Sequence, residues 1–595
     1  MGKFFFDRAQ MVTYIFLAVG LDLAARSASS SRLPIPAPDG KLRMKAILPR
    51  IIVAYVLGMF CTLVAPSPTV GTVFSQEQDS AQDLLSAGLR LEGERKWSDA
   101  IRHYESALRN HPGAMDLQQR LQISRLHHDV HRRYEDVSYL QAVREVSTQQ
   151  ALDLYAEILA NLETHYVDSI QWQRVLTNGT ASLEVALTEP AFVNRLLGDV
   201  DKDQIETFRL KIHQHALQRP ATGRHDLRAT AAYVAGLANK ELGLAGSATA
   251  LEFACGAISN LDTYSRFLTP NQMDETFSNI EGNFVGLGVE LKAEEDCLRI
   301  LNVIRGGPAD QAGICSGDAI VRVEDSRTAS VNPDYAADLL RGPENSYVSI
   351  TIVDANGKPR DLEVQRRRVD VPSIEDLQIV DRDNGIGYLR LTNFQKNTTR
   401  DFEAALWDLH RQGMRQLIVD VRGNPGGLLT SAVEIADRFI SSGDIVLTRG
   451  RSSRENFDYR SHRPNTWSIP LTVLIDGDSA SASEIFAGAI ADHNRGQLIG
   501  TRTYGKGSVQ GVFRMQSARV GLCLTTAKFY SPSRQPISDR GVLPTITVEQ
   551  PGSYVAARVG NDPSTAIAKD PVLRKAIEVA VDSQSTVAGR QQWSK

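Results

Sequence analysis

A multidomain α/β protein is the fold class this sequence predicts, and three observations carry that expectation. The chain has 595 residues, and at roughly 100–200 residues per domain that means about three to four domains. Apolar residues recur at helical spacing through Ala151–Leu162 and Ala231–Leu242, and then give way near residue 276 to short strands with glycine turns. From 371 to 550 strand and helix patterns alternate, which implies a layered α/β core. The expected organisation is a leading segment and linker over 1–80, a helical repeat over 81–135 and a further helical part over 140–275. A β-rich insertion over 276–370, the α/β core over 371–550 and a tail over 551–595 follow.

In the leading segment, Lys45 and Arg50 precede an apolar run from Ile51 to Ala65, closed by Pro66-Ser67-Pro68. That run has the length of a signal-peptide core and is short for a spanning helix. Met44 is a sensible start for such a signal. Export to a periplasmic or other extracytoplasmic compartment is expected, with the segment either cleaved or kept as a membrane anchor. Cys61 follows Phe60, too bulky for a lipoprotein cleavage site, so lipidation is not expected. Residues 66–80 are small and polar and read as a linker.

Leu84, Gly88, Leu91, Ala100, Tyr104, Ala107 and Pro112 then fall on the positions of one tetratricopeptide repeat. Small residues let its two helices approach, and Pro112 stops the second. A single repeat cannot bury its own faces, so it packs on neighbours such as a helix over 116–135 or docks a protein partner. In the β-rich stretch, Gly286-Leu287-Gly288-Val289 opens a series continued by Leu301–Ile304, Gly307-Pro308-Ala309, Gly317-Asp318-Ala319-Ile320, a short helix Asp334–Leu340 and a strand Tyr347–Val353. This ordered set resembles a PDZ domain of the circularly permuted kind found in proteases. The resemblance implies that the Gly-Leu-Gly loop holds a peptide's terminal carboxylate and that the next strand offers an edge for strand addition.

Composition excludes other function classes. Hydrophobic residues make up 42% and charged residues 23% of the chain, an ordinary soluble balance. A net charge of −4 gives no field that favours nucleic acid. Arg366-Arg367-Arg368 reads as a solvated strand end rather than a binding patch. The five cysteines (Cys61, Cys255, Cys297, Cys315 and Cys523) show no CxxC pair and no metal spacing. Neither a zinc site nor a disulfide framework is therefore expected, and no cofactor is implied. Cys297 and Cys315 could pair in an oxidising compartment, but unpaired thiols are the preferred reading.

The chemistry concentrates in three places of the α/β core. Leu471–Ile475 reads as a buried strand, Asp476-Gly477-Asp478 as a turn, and 482–492 as a helix. Ser481, within Ser479–Glu484, then falls at the helix start, where free N–H groups and a positive dipole end gather. The N–H of Ala482 can face an oxyanion. Residue chemistry alone also allows Ser479, Ser481 and Ser483 to be helix caps. A second strand, Gln416–Val421, ends in Arg422-Gly423-Asn424-Pro425-Gly426-Gly427, where glycines expose N–H groups or merely make a tight turn before a helix over Leu428–Ile440. Lys506 lies between Gly505 and Gly507. A free lysine, with pKa near 10.4, is charged at neutral pH, and burial makes the neutral base available. Gln510, four residues on, is placed to hydrogen-bond that amine.

Together these motifs resemble the C-terminal processing peptidases, or tail-specific proteases, over roughly residues 150–550. These are serine endopeptidases with a Ser–Lys dyad, an inserted PDZ domain and an α/β core like that of the crotonases. The resemblance implies Ser481 as nucleophile, Lys506 as general base and Gln510 as its partner, with Gly427 and Ala482 as oxyanion donors. It also implies protein or peptide substrates with accessible C-termini, held at Gly286, Leu287, Gly288 and Val289, and points to Arg341 as a sensor between the PDZ domain and the active site. Leu261–Pro270, Leu524–Tyr530 and Gly541–Pro544 match further family segments. Thr545 departs from the aspartate usual after Pro544, and the repeat at 81–135 is not a standard part of the family. The alternatives from other classes are a silent PDZ and helical-repeat scaffold and an acyl-CoA enzyme of the crotonase type. Oligomerisation is left open.

Overall fold

The computed structural model describes residues 80–592 apart from 260, 295, 329–338, 355, 463–465 and 550–568. The signal segment 51–65, the Met44 start, Cys61, nearly all of the linker 66–80 and most of the expected helix Asp334–Leu340 lie outside the described residues.

The described residues begin with helices α1 (Ala81–Gly93) and α2 (Trp97–Asn110), packed together as a pair. A Cβ on Gly88 would collide with the ring of Tyr104, so the small residue sets how closely they approach. Next come α3 (Met115–Glu135), α4 (Val137–Glu145), α5 (Thr148–His165), α6 (Trp172–Ala186), α7 (Pro190–Leu196), α8 (Lys202–Gln218), α9 (Arg224–Leu242) and α10 (Gly246–Ile258). Every residue of α10 is buried, because its small and apolar sequence lies at the centre of the bundle. A buried Arg133–Glu252 ion pair, with Ser182 and Tyr134 also donating to Glu252, crosses this core.

Strand β1 (Arg266–Leu268) and α11 (Pro270–Glu281) lead out of the bundle. β2 (Asn283–Gly286) then pairs antiparallel with the later β9 (Arg367–Asp370), so the insertion leaves and returns through one two-stranded ribbon. Between them β3 (Val289–Ala293), β4 (Leu298–Val303), α12 (Pro308–Gln311), β5 (Ala319–Val323), β6 (Ser326–Arg327), β7 (Tyr347–Val353) and β8 (Pro359–Gln365) enclose their own apolar core. The sheet order is β3-β4-β5-β7-β8, which leaves β3 at an edge. Arg366 corrects the expectation of a solvated strand end. It is buried, and its guanidinium donates to the carbonyls of Leu339, Leu340 and Tyr347 and to Ser346 Oγ. Three carbonyls and a hydroxyl take its donors, and Glu324 lies 3.9 Å from Nη2, so the buried charge is both hydrogen-bonded and paired.

The α/β core follows as β10 (Ile374–Asp381), β11 (Ile386–Leu391), α13 (Thr398–Arg411), β12 (Gln416–Asp420), α14 (Leu429–Ala436), β13 (Asp444–Gly450), β14 (Phe457–Arg460), β15 (Leu471–Ile475), α15 (Ala482–Asp492), β16 (Gln497–Gly500), β17 (Ser508–Arg514), β18 (Gly521–Tyr530), β19 (Ile546–Thr547) and α16 (Pro571–Gln592). One sheet runs β10-β11-β12-β15-β16-β19, parallel except for β10. β12 and β15 are buried at every residue, as strands covered on both faces must be. Leu417, Val419, Leu471 and Val473 face α13, α14 and α15. Ile418 and Leu474 face Val572, Leu573, Ala576 and Ala580 of α16. The second sheet has the order β1-β18-β13-β14, with β17 paired to β18. Helix α14 is shorter than the Leu428–Ile440 expected, and α16 takes up most of the described part of the tail.

Candidate active site

Two adjacent parallel strands build the site. β12 and β15 pair from Leu417↔Leu471 to Asp420↔Leu474, so their carboxyl ends deliver two turns side by side. That is where ligands bind in open parallel sheets. The turns are stitched together. Ser479 Oγ donates to Val421 O at 2.8 Å and Ser483 Oγ to Asn424 O at 2.9 Å. Ala480 N–H donates to Asn424 O at 3.1 Å, and Gly423 N–H to Asp476 Oδ1 at 3.0 Å. Ser479 and Ser483 are fully buried and hold the two turns together. Ser481 differs, because it is partly exposed and lines the cavity.

Ser481 is the N-cap of α15, with φ +56° and ψ −113°. A non-glycine residue there stores strain, and a sharp strand-to-helix turn of this kind pushes a hydroxyl outward. Two backbone N–H groups lie near it without an acceptor among the described residues: those of Ala482 and Gly427. Gly426 separates the two turns by the width of a backbone. A Cβ there would meet Ala480 O at 2.7 Å, Ser481 Cβ at 2.8 Å and Ala482 N at 2.9 Å. Gly427, with φ +138°, forms a parallel bridge with Phe394, and a Cβ on it would overlap Phe394 O.

Lys506 lines the same cavity, which spans about 3000 Å³. It is partly buried, and its ammonium lies 4.9 Å from the centroid of the Tyr264 ring. Burial pulls its pKa below the usual lysine value, and the nearby Arg266 pushes the same way. The thiol of Cys523 and the carboxylates of Glu484 and Asp262 oppose them. Ser481 and Lys506 share the cavity but no hydrogen bond joins them among the described residues.

Gln510 also lines the cavity, but its amide nitrogen is directed to Ser508 Oγ at 2.9 Å and Thr525 Oγ1 at 3.5 Å rather than to Lys506. The β17–β18 ladder shifts register between Val509 and Gln510, directly beside this side chain. In the insertion, Gly288 has φ +78°, and the N–H groups of Leu287 and Gly288 have no acceptor among the described residues. The carbonyl of Leu287 accepts Ala309 N–H and that of Gly288 accepts Ile304 N–H, which holds the loop open beside the β3 edge and Val289. Arg341 pairs with Glu275 of α11 at 2.5 Å and lines the cavity, so it links the insertion to the helix that precedes it.

Sequence reasoning missed Glu484. Its buried carboxylate takes the N–H of Ser481 at 2.8 Å and of Lys506 at 2.9 Å on Oε2, and Gly505 N–H at 2.6 Å and Thr503 Oγ1 at 2.7 Å on Oε1. Burial raises its pKa against these four donors. Its position three residues after an N-cap serine is the capping-box spacing, the one signal that could have marked it. Tyr264 was missed too. The turn that presents it is fixed by Asp262, which accepts Tyr264 and Ser265 N–H and the Thr525 hydroxyl.

Residues 385–548 match Peptidase family S41, and residues 299–354 match the PDZ domain. The chain is 36% identical over 305 residues to the carboxy-terminal-processing protease of Bartonella bacilliformis, covering 50% of this chain and 68% of that protein. It is 28% identical over 334 residues to a probable CtpA-like serine protease of Staphylococcus aureus, covering 55% of this chain and 66% of that one. Among solved structures it is similar to the photosystem II D1 C-terminal processing protease, at 26% identity and a TM-score of 0.32, over 64% of this chain and 94% of that chain.

Proposed function

We propose that this chain, which belongs to peptidase family S41 and carries a PDZ domain, is a serine endopeptidase that cleaves protein substrates recognised by their C-termini. One observation carries the reading. A strained serine at a helix N-terminus, beside two N–H groups without acceptors among the described residues, shares a cavity with a lysine whose pKa burial lowers.

Neutral Lys506 accepts the Ser481 proton as Ser481 Oγ bonds to the substrate carbonyl carbon. The carbonyl oxygen becomes an oxyanion facing the N–H groups of Ala482 and Gly427. The intermediate collapses, the C–N bond breaks, and Lys506 returns the proton to the leaving amine. Water then gives a proton to Lys506 and attacks the ester. The C–O bond breaks, the acid product leaves, and the proton returns to Ser481. No hydrogen bond joins the pair among the described residues, so the first step begins once Lys506 Nζ is within hydrogen-bond reach of Ser481 Oγ. Gln510, held by Ser508 and Thr525, steadies the cavity wall rather than the amine in this state.

The open edge of β3 and the free N–H groups of Leu287 and Gly288 support capture of a substrate's terminal carboxylate. The Arg341–Glu275 pair supports a sensor role for Arg341. We further place the enzyme outside the cytoplasm on the strength of the apolar run Ile51–Ala65, either released or anchored to the membrane. The paired helices α1 and α2 are read as a docking repeat for a protein partner. A silent scaffold is not favoured, because the hydroxyl and the lysine share one cavity.

The test is cleavage of an unfolded protein by the full chain. Ser481→Ala and Lys506→Ala should each be inert while keeping the native melting transition. Full activity in either variant would remove the dyad. A peptide with a free C-terminus should be cut faster than its C-terminal amide, and equal rates would remove the PDZ capture.

A further inference from the structure

The C-terminal helix α16 lies beyond the residues that match family S41. It is nevertheless tied to the turn beside Ser481 by a buried ion cluster. Arg422, the first residue of that turn, donates Nη1 to Asp570 Oδ1 at 3.0 Å and Nη2 to Asp570 Oδ2 at 2.8 Å. The side chains of Arg422, Asp420 and Asp570 are 2%, 0% and 4% exposed. Asp570 Oδ1 also accepts the N–H groups of Val572 and Leu573, both at 3.0 Å, and so caps α16. Asp420, the last residue of β12, holds the guanidinium's other edge through Nε at 2.9 Å and Nη2 at 2.6 Å, and takes the Tyr388 hydroxyl at 2.8 Å.

We propose that Asp570 is a positioning residue for the oxyanion-side turn, acting through Arg422 on the backbone from Gly423 to Gly427. The inference rests on the reading of Ser481, Ala482 and Gly427 given above. The contacts are continuous. Asn424 O accepts from Ala480 and Ser483, Asn424 Oδ1 accepts Gly426 N–H at 2.8 Å, and Gly426 packs on Ser481. Asp420 alone satisfies one edge of the guanidinium. In Asp570→Asn the amide oxygen can keep Nη1 and the helix cap, but its NH₂ then faces the donor Nη2 in a buried site. The guanidinium is left with Asp420 as its one carboxylate partner, so Arg422 shifts and carries the turn with it. Helix α16 does not depend on this contact alone, because Val572, Leu573, Ala576 and Ala580 pack on the sheet.

The experiment uses the full chain carrying Asp570→Asn. The kcat on an unfolded protein substrate is divided by the fraction of Ser481 that reacts to completion with a fluorophosphonate. This normalised kcat should fall about tenfold with KM unchanged, a partial loss of one oxyanion donor. Leu573→Ala, which weakens the packing of α16 and leaves Arg422 paired, should lower Tm and keep the normalised kcat. If Asp570→Asn lowers Tm but keeps the normalised kcat, the carboxylate only holds the helix and the inference is overturned. Should Asp570→Asn fail to fold, Asp570→Ser, which keeps a capping oxygen without the charge, is read in the same way. Ser481→Ala separates the two levels. If it still cleaves, the dyad reading fails. If it is inert while Asp570→Asn matches the parent, only the positioning role fails.

Discussion

Glu484 accepts the backbone N–H of Lys506 on the same oxygen that takes the N–H of Ser481, at 2.9 Å and 2.8 Å. One carboxylate thus ties together the main chains that carry Ser481 and Lys506, the proposed nucleophile and base. It holds the two backbones and, among the described residues, makes no hydrogen bond with the Lys506 ammonium.

Glu484→Gln tests this clamp. The amide is isosteric, but either orientation puts its NH₂ against at least one fixed donor. Those are the N–H groups of Ser481 and Lys506 on one side, or Gly505 N–H on the other, where the Thr503 hydroxyl must also reverse its bond. Stability should fall by about 2–4 kcal/mol, measured by denaturant unfolding. The kcat of the folded fraction should fall as well. Parent stability together with parent kcat would show that the clamp is dispensable.

The acidic limb of kcat/KM should report Lys506. The base works only when neutral, and burial lowers its pKa, so the limb should lie below the free-lysine value of about 10.4. The Tyr264 ring attracts the ammonium and therefore holds that pKa up. Tyr264→Leu should move the limb to lower pH, whereas Tyr264→Phe should leave it in place. A limb that moves upward in Tyr264→Leu would contradict the ring's role.

Lys506→Met should stabilise the fold while abolishing activity. A lysine whose folded pKa lies below its unfolded value makes the folded protein bind fewer protons between the two. Stability then rises with pH through that window, and the cost of burying the charge is full below the folded pKa. The variant should gain about 1 kcal/mol at neutral pH, with the gain vanishing as pH passes the unfolded value. Thermal unfolding at several pH values measures this, and an equal Tm difference across the whole range would show that charge burial is not the cause.

Gly426→Ala should damage the site more than the fold. Its φ of +105° and contacts of 2.7–2.9 Å leave no room for a methyl between the turns. We expect about 2–3 kcal/mol of lost stability and a kcat about 100-fold lower. A variant that melts early but keeps its kcat would mean the turns can separate without harm.

What the sequence by itself determined is local. Strand β15 and helix α15 fall on the residues their patterns predict, because apolar runs, a turn and small residues encode those elements within a few positions. The motifs carrying Ser481, Lys506 and Gly427 were legible for the same reason, each being a short stretch with its own backbone demand. Tertiary structure decided which atoms those motifs meet. Three serines in one motif look alike in sequence. The neighbouring β12 turn supplies acceptors for Ser479 and Ser483, and leaves Ser481 to the cavity. Arg366 looked solvated because its carbonyl acceptors sit as many as 27 residues away in the chain. Arg422 and Asp570, 148 residues apart, meet only because the sheet brings α16 across the end of β12. Periodicity and spacing encode the conformation of a segment. A buried polar group's partner depends on which distant segments the packed core lays against it, and no local pattern carries that information.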